Sequence, residues 1–375
     1  MNNSPIQSER RTARTWRSAA WKGAAGVTVW LAPGALGLLH AAAVAAQDRI
    51  QVVATLPTYA SIAREITGDL AEVSSIARGD EDAHFVNARP SFAQLLQGAD
   101  LFVSTGLDLE LWVPSLLQRA NNSAIVEGAP GNIAAYSGIE LLDVPDNLSR
   151  AGGDVHVFGN PHIHTDPING IQIARNILAG LQRVDSKNAA TYARREKDFE
   201  TRVLQRLYGE RLVDMLGEEA LLSLSRSHQF WRFAAGQTFE GRPLTAYVGG
   251  WLGEAAPFRG KQMACYHKNW AYFSARFEIP CATYVEPKPG IPPSPGHVRD
   301  LISYIQDHSI PVLWAATYYS GRQVEQVAAR AGAAGQRVPM SVGGAPGVDT
   351  YFDLFDRLVG CLAGAFQGRR TECST

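Results

Sequence analysis

Ile50-Gln51-Val52-Val53-Ala54-Thr55-Leu56 is a short apolar run, and from Tyr59 to Ile66 apolar residues recur at helical spacing until Gly68 stops them. Working outward, residues 72–77 read as a second strand, 91–97 as a helix, 100–104 as a third strand ending at Gly106, and 171–181 as a further helix. Short strands alternating with helices of this length predict a parallel sheet covered on both faces. The pattern returns later in the chain, with strands at 261–266, 281–286 and 311–317 and helices at 267–277, 298–306, 323–331 and 350–366. Residues 186–216 lie between the halves, rich in charge and nearly free of Gly and Pro, with Phe199, Val203 and Leu207 on one stripe. At about 1.5 Å per residue such a helix would run roughly 45 Å. The expected fold is therefore α/β, with two lobes, each a mostly parallel sheet with flanking helices, joined by one long rigid helix. The lobes are expected at 47–185 and 218–375, with the helix at 186–217. Residues 219–260 show no assignable period.

The chain has 375 residues, which favours more than one core, and its 46% hydrophobic and 19% charged content is that of a globular protein. Lys and Arg total 35 against 36 acids, so nothing points to a nucleic-acid partner, which would need concentrated positive charge. Residues 1–22 carry Arg10, Arg11, Arg14, Arg17 and Lys22, and from Gly23 to Gln47 no charge occurs. A basic head, an apolar middle and the small-residue exit Ala41-Ala42-Ala43-Val44-Ala45-Ala46 describe a secretory signal peptide over 1–46. Cleavage would leave 30 basic and 35 acidic residues in an exported chain that has no further long apolar run. Four cysteines are too few for a disulfide scaffold, although Cys265 with Cys281 and Cys361 with Cys373 are conceivable pairs in an oxidising compartment.

Histidine is the residue type that carries chemistry here. Three of the nine histidines have distinctive settings: Asp82-Ala83-His84, Asn160-Pro161-His162-Ile163-His164 and Tyr266-His267. His267 and Glu286 end successive predicted strands, and in an open parallel sheet ligands collect beyond the carboxyl ends of the strands. Imidazoles with a carboxylate suit Zn²⁺ and, with less preference, Mn²⁺ or Fe²⁺. No HExxH or paired C-x-x-C spacing is present, so spacing alone does not establish a metal site.

Four ordered blocks add a family resemblance. Asp82-Ala83-His84-Phe85-Val86-Asn87-Ala88-Arg89-Pro90-Ser91 is similar to a D-P-H-x-x-x-x-x-P-S segment, followed by Ala99-Asp100-Leu101 and Glu110-Leu111-Trp112. Gly159-Asn160-Pro161-His162 with Asp166-Pro167, Cys265-Tyr266-His267-Lys268-Asn269-Trp270, and Glu286-Pro287-Lys288-Pro289-Gly290 complete the set. In these blocks the chain resembles the metal-binding receptors of cluster A-I ABC importers, the zinc and manganese solute-binding family, over nearly all of 50–368.

The resemblance implies a periplasmic receptor that holds a divalent metal ion between its lobes and delivers it to an ABC permease in the inner membrane. It also implies a monomer that performs no catalysis. Carried over block by block, His84, His162 and His267 are the expected ligands of Zn²⁺, or of Mn²⁺. Relatives take a carboxylate from a segment that here reads Arg337-Val338-Pro339-Met340-Ser341-Val342-Gly343-Gly344 and has no acid, so Glu286 is the expected fourth ligand, with water as its competitor. His156 and His164 stand as alternate or supporting residues. Ala83 replaces the usual proline and predicts a looser loop at His84. Binding should weaken below about pH 6, as ligand imidazoles take up protons. The alternative is an exported zinc hydrolase with three histidine ligands and Glu286 as general base.

Overall fold

The computed structural model describes residues 49–145, 156–286, 291–369 and 373, so the expected signal peptide lies outside the described residues. Val52, Val53 and Ala54 are completely buried, which explains why the opening run lacks polar alternation: β1 (Ile50–Ala54) is an inner strand. After it come α1 (Pro57–Thr67), β2 (Ala71–Ser75), α2 (Pro90–Gln97), β3 (Leu101–Ser104), α3 (Val113–Ala120), β4 (Asn132–Ala134) and α4 (Pro167–Val184). These strands form a wholly parallel sheet in the order β2-β1-β3-β4.

The long helix is α5 (Ala189–Tyr208), which with the 3-10 turn Ser186–Asn188 makes 23 continuous residues. It stops short of the expected end at Leu216. Gly209 takes φ +83° and packs backbone to backbone against Gly249, where a Cβ would come within 3.0 Å of the Gly249 Cα. A separate α6 (Glu210–Leu216) follows, so α5 itself spans about 30 Å instead of 45 Å.

The unassigned stretch 219–260 holds the short helices α7 (Glu218–Arg226) and α8 (Phe230–Ala235), a hairpin of β5 (Thr238–Phe239) and β6 (Arg242–Pro243), and α9 (Gly250–Ala255). Six to nine residues is too few for a helical period to stand out. The second lobe continues with β7 (Met263–Cys265), α10 (Ala271–Phe277), β8 (Cys281–Tyr284), α11 (Pro295–Asp307), β9 (Val312–Ala316), α12 (Gly321–Ala331), β10 (Ala334–Val338) and α13 (Tyr351–Phe366). Its sheet is again parallel, in the order β10-β9-β7-β8.

Both sheets belong to one unit, Arg49–Thr375. Helix α5 packs on α1 and α4 and also on α9, and its Phe199 ring meets Tyr351 and Phe352 of α13. Arg276 on α10 makes a two-pronged ion pair with Asp166, the N-cap of α4, at 2.8 Å on both oxygens, and donates to the Ser225 carbonyl. Gly79 admits the 342–344 backbone so closely that a Cβ would lie 2.1 Å from the Val342 carbonyl. Beside it the Thr58 and Ser341 hydroxyls are 2.6 Å apart. Disulfides join Cys265 to Cys281 across β7 and β8, and Cys361 on α13 to Cys373. Among the described residues no helix is long and apolar enough to cross a membrane.

Candidate metal centre

His84 sits on a 3-10 turn (Ala83–Phe85) capped by Asp82, whose Oδ1 accepts the His84 backbone N–H at 3.0 Å and lies 2.6 Å from His84 Nδ1. A carboxylate oxygen can only accept, so the ring proton is on Nδ1 and Nε2 is left bare. Burial works to raise the Asp82 carboxyl, but the hydrogen bonds and charge of His84 hold it below its ordinary value. The loop expected to be loose at Ala83 is pinned, because the Trp112 indole N–H donates to the Ala83 carbonyl at 2.8 Å.

The same device recurs at His162. Asn160 Oδ1 accepts the His162 backbone N–H at 3.0 Å and its Nδ1–H at 2.9 Å. The Asn160 amide is oriented by its NH₂, which donates to Asp143 Oδ2 and to the Lys268 carbonyl. That leaves His162 Nε2 fully enclosed with no hydrogen-bond partner. A buried polar atom without a partner is rare and costly, and a bare imidazole nitrogen in this state is well placed to bind an ion. Asp-x-His and Asn-x-His are both Asx turns two residues ahead of the histidine, a signal available in the sequence.

His267 follows β7 and is 3% exposed. Its Nδ1 lies 3.5 Å from the Glu286 carbonyl and 3.8 Å from the Glu286 carboxylate. The ladder that places both residues continues past the strands, with Val285 N–H donating to the Cys265 carbonyl and Glu286 N–H to the Tyr266 carbonyl. The imidazole centroids of His84 and His162 are 5.2 Å apart, and that of His267 lies 6.4 Å from each. The structure thus brings His84 and His162 together and leaves His267 a little farther out, with Glu286 at the Nδ1 edge of His267.

His156 joins the cluster. His156 Nε2 is 3.1 Å from His84 Nε2, and His84, His156 and His162 offer nitrogens all within 4.8 Å of one another. The sequence marks it as an alternate or supporting residue, and its contact with His84, 72 residues away, has no local signal. His164 is buried but turned elsewhere, its Nε2 on the Met340 carbonyl at 3.1 Å and its ring edge-on to Tyr59. His297 bonds the Tyr284 carbonyl and His308 the Tyr304 carbonyl, and neither joins the cluster.

Burial, then the neighbouring His84, lowers the pKa of His267 to about 4 and that of His156 to about 3, and burial takes His162 well below its ordinary value. These rings are neutral at pH 7, the form that binds metal, and protons compete with metal at them only below the expected pH 6. Burial, then the charge of Asp82, raises Glu286. A small cavity of about 20 Å³ beside the cluster is bordered by Leu56, Asp82, His84, His162, His164 and Met340, and none of His156, His267 and Glu286 lines it.

Similar proteins can be set beside this geometry. The iron-binding protein YfeA of Yersinia pestis is 25% identical over 323 residues, 85% of this chain and 86% of its own. The manganese ABC transporter substrate-binding lipoprotein PsaA of Streptococcus pneumoniae is 25% identical over 284 residues, 75% of this chain and 76% of its own. Among solved structures, a zinc-bound ZnuA deletion mutant superposes with a TM-score of 0.62 at 20% identity, covering 85% of this chain and 98% of that one. A manganese-bound periplasmic metal-binding protein from Candidatus Liberibacter asiaticus gives 0.58 at 19% identity, covering 84% and 98%. These structures share the fold. The profile of the family described as "Zinc-uptake complex component A periplasmic" matches residues 52–208 and 252–365, and the chain belongs to that family.

Proposed function

We propose that this protein is an exported solute receptor that captures Zn²⁺ between its lobes through His84, His162 and His267 and delivers it to an ABC permease in the membrane. The observation that carries this reading is the enclosed, unpartnered Nε2 of His162 facing a cluster of neutral imidazoles. Relatives are named for iron and manganese as well as zinc. Imidazole-rich donors suit Zn²⁺, whereas Mn²⁺ prefers carboxylate and water oxygens, so Zn²⁺ is the ion the donor set favours. Two disulfides suit an oxidising compartment outside the cytoplasm, in keeping with a cleaved signal peptide at 1–46. The receptor acts as a monomer, and its cargo is released to the permease by a small rearrangement of the lobes.

A hydrolase using Glu286 as base is disfavoured by the relatives, which are named as metal-binding and substrate-binding proteins. Calorimetric titration of metal-free residues 47–375 with Zn²⁺ and Mn²⁺ tests the proposal. One tight Zn²⁺ site, weaker Mn²⁺ binding and loss of both in the His84→Ala, His162→Ala, His267→Ala triple variant are expected. Undiminished Zn²⁺ affinity in that variant would overturn it.

A further inference from the structure

Building on that reading, we propose that His156 is the fourth metal ligand, closing a four-imidazole site, and that the Glu286 carboxylate supports His267 without touching the ion. A tetrahedral Zn²⁺ with bonds of about 2.0–2.1 Å to nitrogen sets its ligand nitrogens roughly 3.3 Å apart and the ring centroids roughly 5 Å apart. The His84 and His156 Nε2 atoms are 3.1 Å apart. The centroid distances are 5.1 Å for His84–His156, 5.2 Å for His84–His162 and 5.8 Å for His156–His162. Three imidazoles therefore stand at coordination spacing, and His267, at 6.4 Å from two of them, needs to move by about an ångström to complete the tetrahedron.

Glu286 sits on the wrong edge of its neighbour to be the fourth ligand. Its carboxylate and its carbonyl both approach His267 Nδ1, and the nitrogen left for a metal is Nε2, which points away from Nδ1 across the ring. Acceptors at Nδ1 are the usual outer partners of a metal-bound histidine, and Asp82 and Asn160 play that part for His84 and His162. The 337–344 segment holds no acid and is committed to other contacts: the Met340 carbonyl takes His164, and Ser341 bonds Thr58. Among the described residues, the group placed to hold a metal ion is His84, His156 and His162, and it includes no acid. Four neutral nitrogen donors in place of three nitrogens and a carboxylate tilt selectivity further toward Zn²⁺ and away from Mn²⁺.

X-ray absorption at the zinc edge on residues 47–375 loaded with one equivalent of Zn²⁺ counts the bound imidazoles directly. Four are expected in the wild type and in Glu286→Gln, and three plus one oxygen in His156→Ala and in the more conservative His156→Gln. Competition titration should show Zn²⁺ affinity reduced at least tenfold in both His156 variants and the Zn²⁺-to-Mn²⁺ preference narrowed in His156→Asp. An unchanged imidazole count and affinity in His156→Ala and His156→Gln would overturn the inference, as would loss of a zinc-bound oxygen in Glu286→Gln. Either result with tight wild-type Zn²⁺ binding leaves the receptor reading standing, whereas absence of wild-type binding defeats that reading itself.

Discussion

In the first lobe His84 stands nine residues beyond the end of β2 and His162 far beyond β4, each held by an Asx side chain two positions earlier. In the second lobe His267 and Glu286 come two residues after β7 and β8. A residue at a strand end inherits its position from the hydrogen-bond ladder, which here runs on to Glu286. A residue on a loop has no ladder, so side-chain acceptors and the Trp112 indole supply the order. The two lobes bring their histidines to neighbouring positions by different means, and the Asn160 amide, bonded to the Lys268 carbonyl, ties one arrangement to the other.

The largest expected effect comes from breaking the join between lobes. Arg276→Met removes the partner of a buried carboxylate, and uncompensated buried charge costs about 3–5 kcal/mol. Urea unfolding measures it, and a loss below about 1 kcal/mol would mean that packing along α5 and α13 alone holds the lobes together. Next is the brace of the second lobe. Replacing Cys265 and Cys281 by Ala opens a bridge with a sequence separation of 16, worth about 3 kcal/mol for a loop near that length, and should also weaken Zn²⁺ binding through His267. The equivalent change at Cys361 and Cys373 should lower stability and leave affinity untouched. Equal affinity losses in both pairs would break the assignment of Cys265–Cys281 to the site.

On the first-lobe side, Asn160→Ala frees the His162 ring and should reduce metal affinity about 10–100-fold, read by chelator competition. An unchanged affinity would show that packing, not the amide, aims the ring. The smallest effect treats both lobes alike. Burial lowers His164 and His267 to about 4, so between roughly pH 6.5 and 4 the unfolded chain binds protons that the folded chain does not. Metal-free protein should therefore lose stability as pH falls through that window, by at most about 1.4 kcal/mol per pH unit for each histidine. Melting curves at pH 7.5 and 5.5 check it, and coincident curves would mean that both rings are hydrated.

Legibility followed the same division between strand ends and loops. The inner strands β1, β3, β7 and β9 are apolar runs and could be read locally, as could α1, α4 and α13. Edge strands β4 and β10 escaped, the first being three residues long and the second reading Ala-Gly-Gln-Arg-Val with little apolar signal. The end of α5 was misjudged because a single Gly209 inside a charged helical pattern looks tolerable until its contact with Gly249 is known. At the cluster, His84, His162 and His267 stand in recognisable motifs, while the contact of His156 with His84 has no local signal.

Sequence alone determined the α/β alternation, the family and the three motif histidines, because periodicity and short motifs are properties of neighbouring residues. Tertiary structure alone decided that His156 meets His84 across 72 residues, that Arg276 finds Asp166, and that the cysteines pair as they do. It also placed Glu286 at the Nδ1 edge of His267. Those contacts depend on how two sheets and a helix close long stretches of chain upon one another, and no local pattern encodes the closure of a loop.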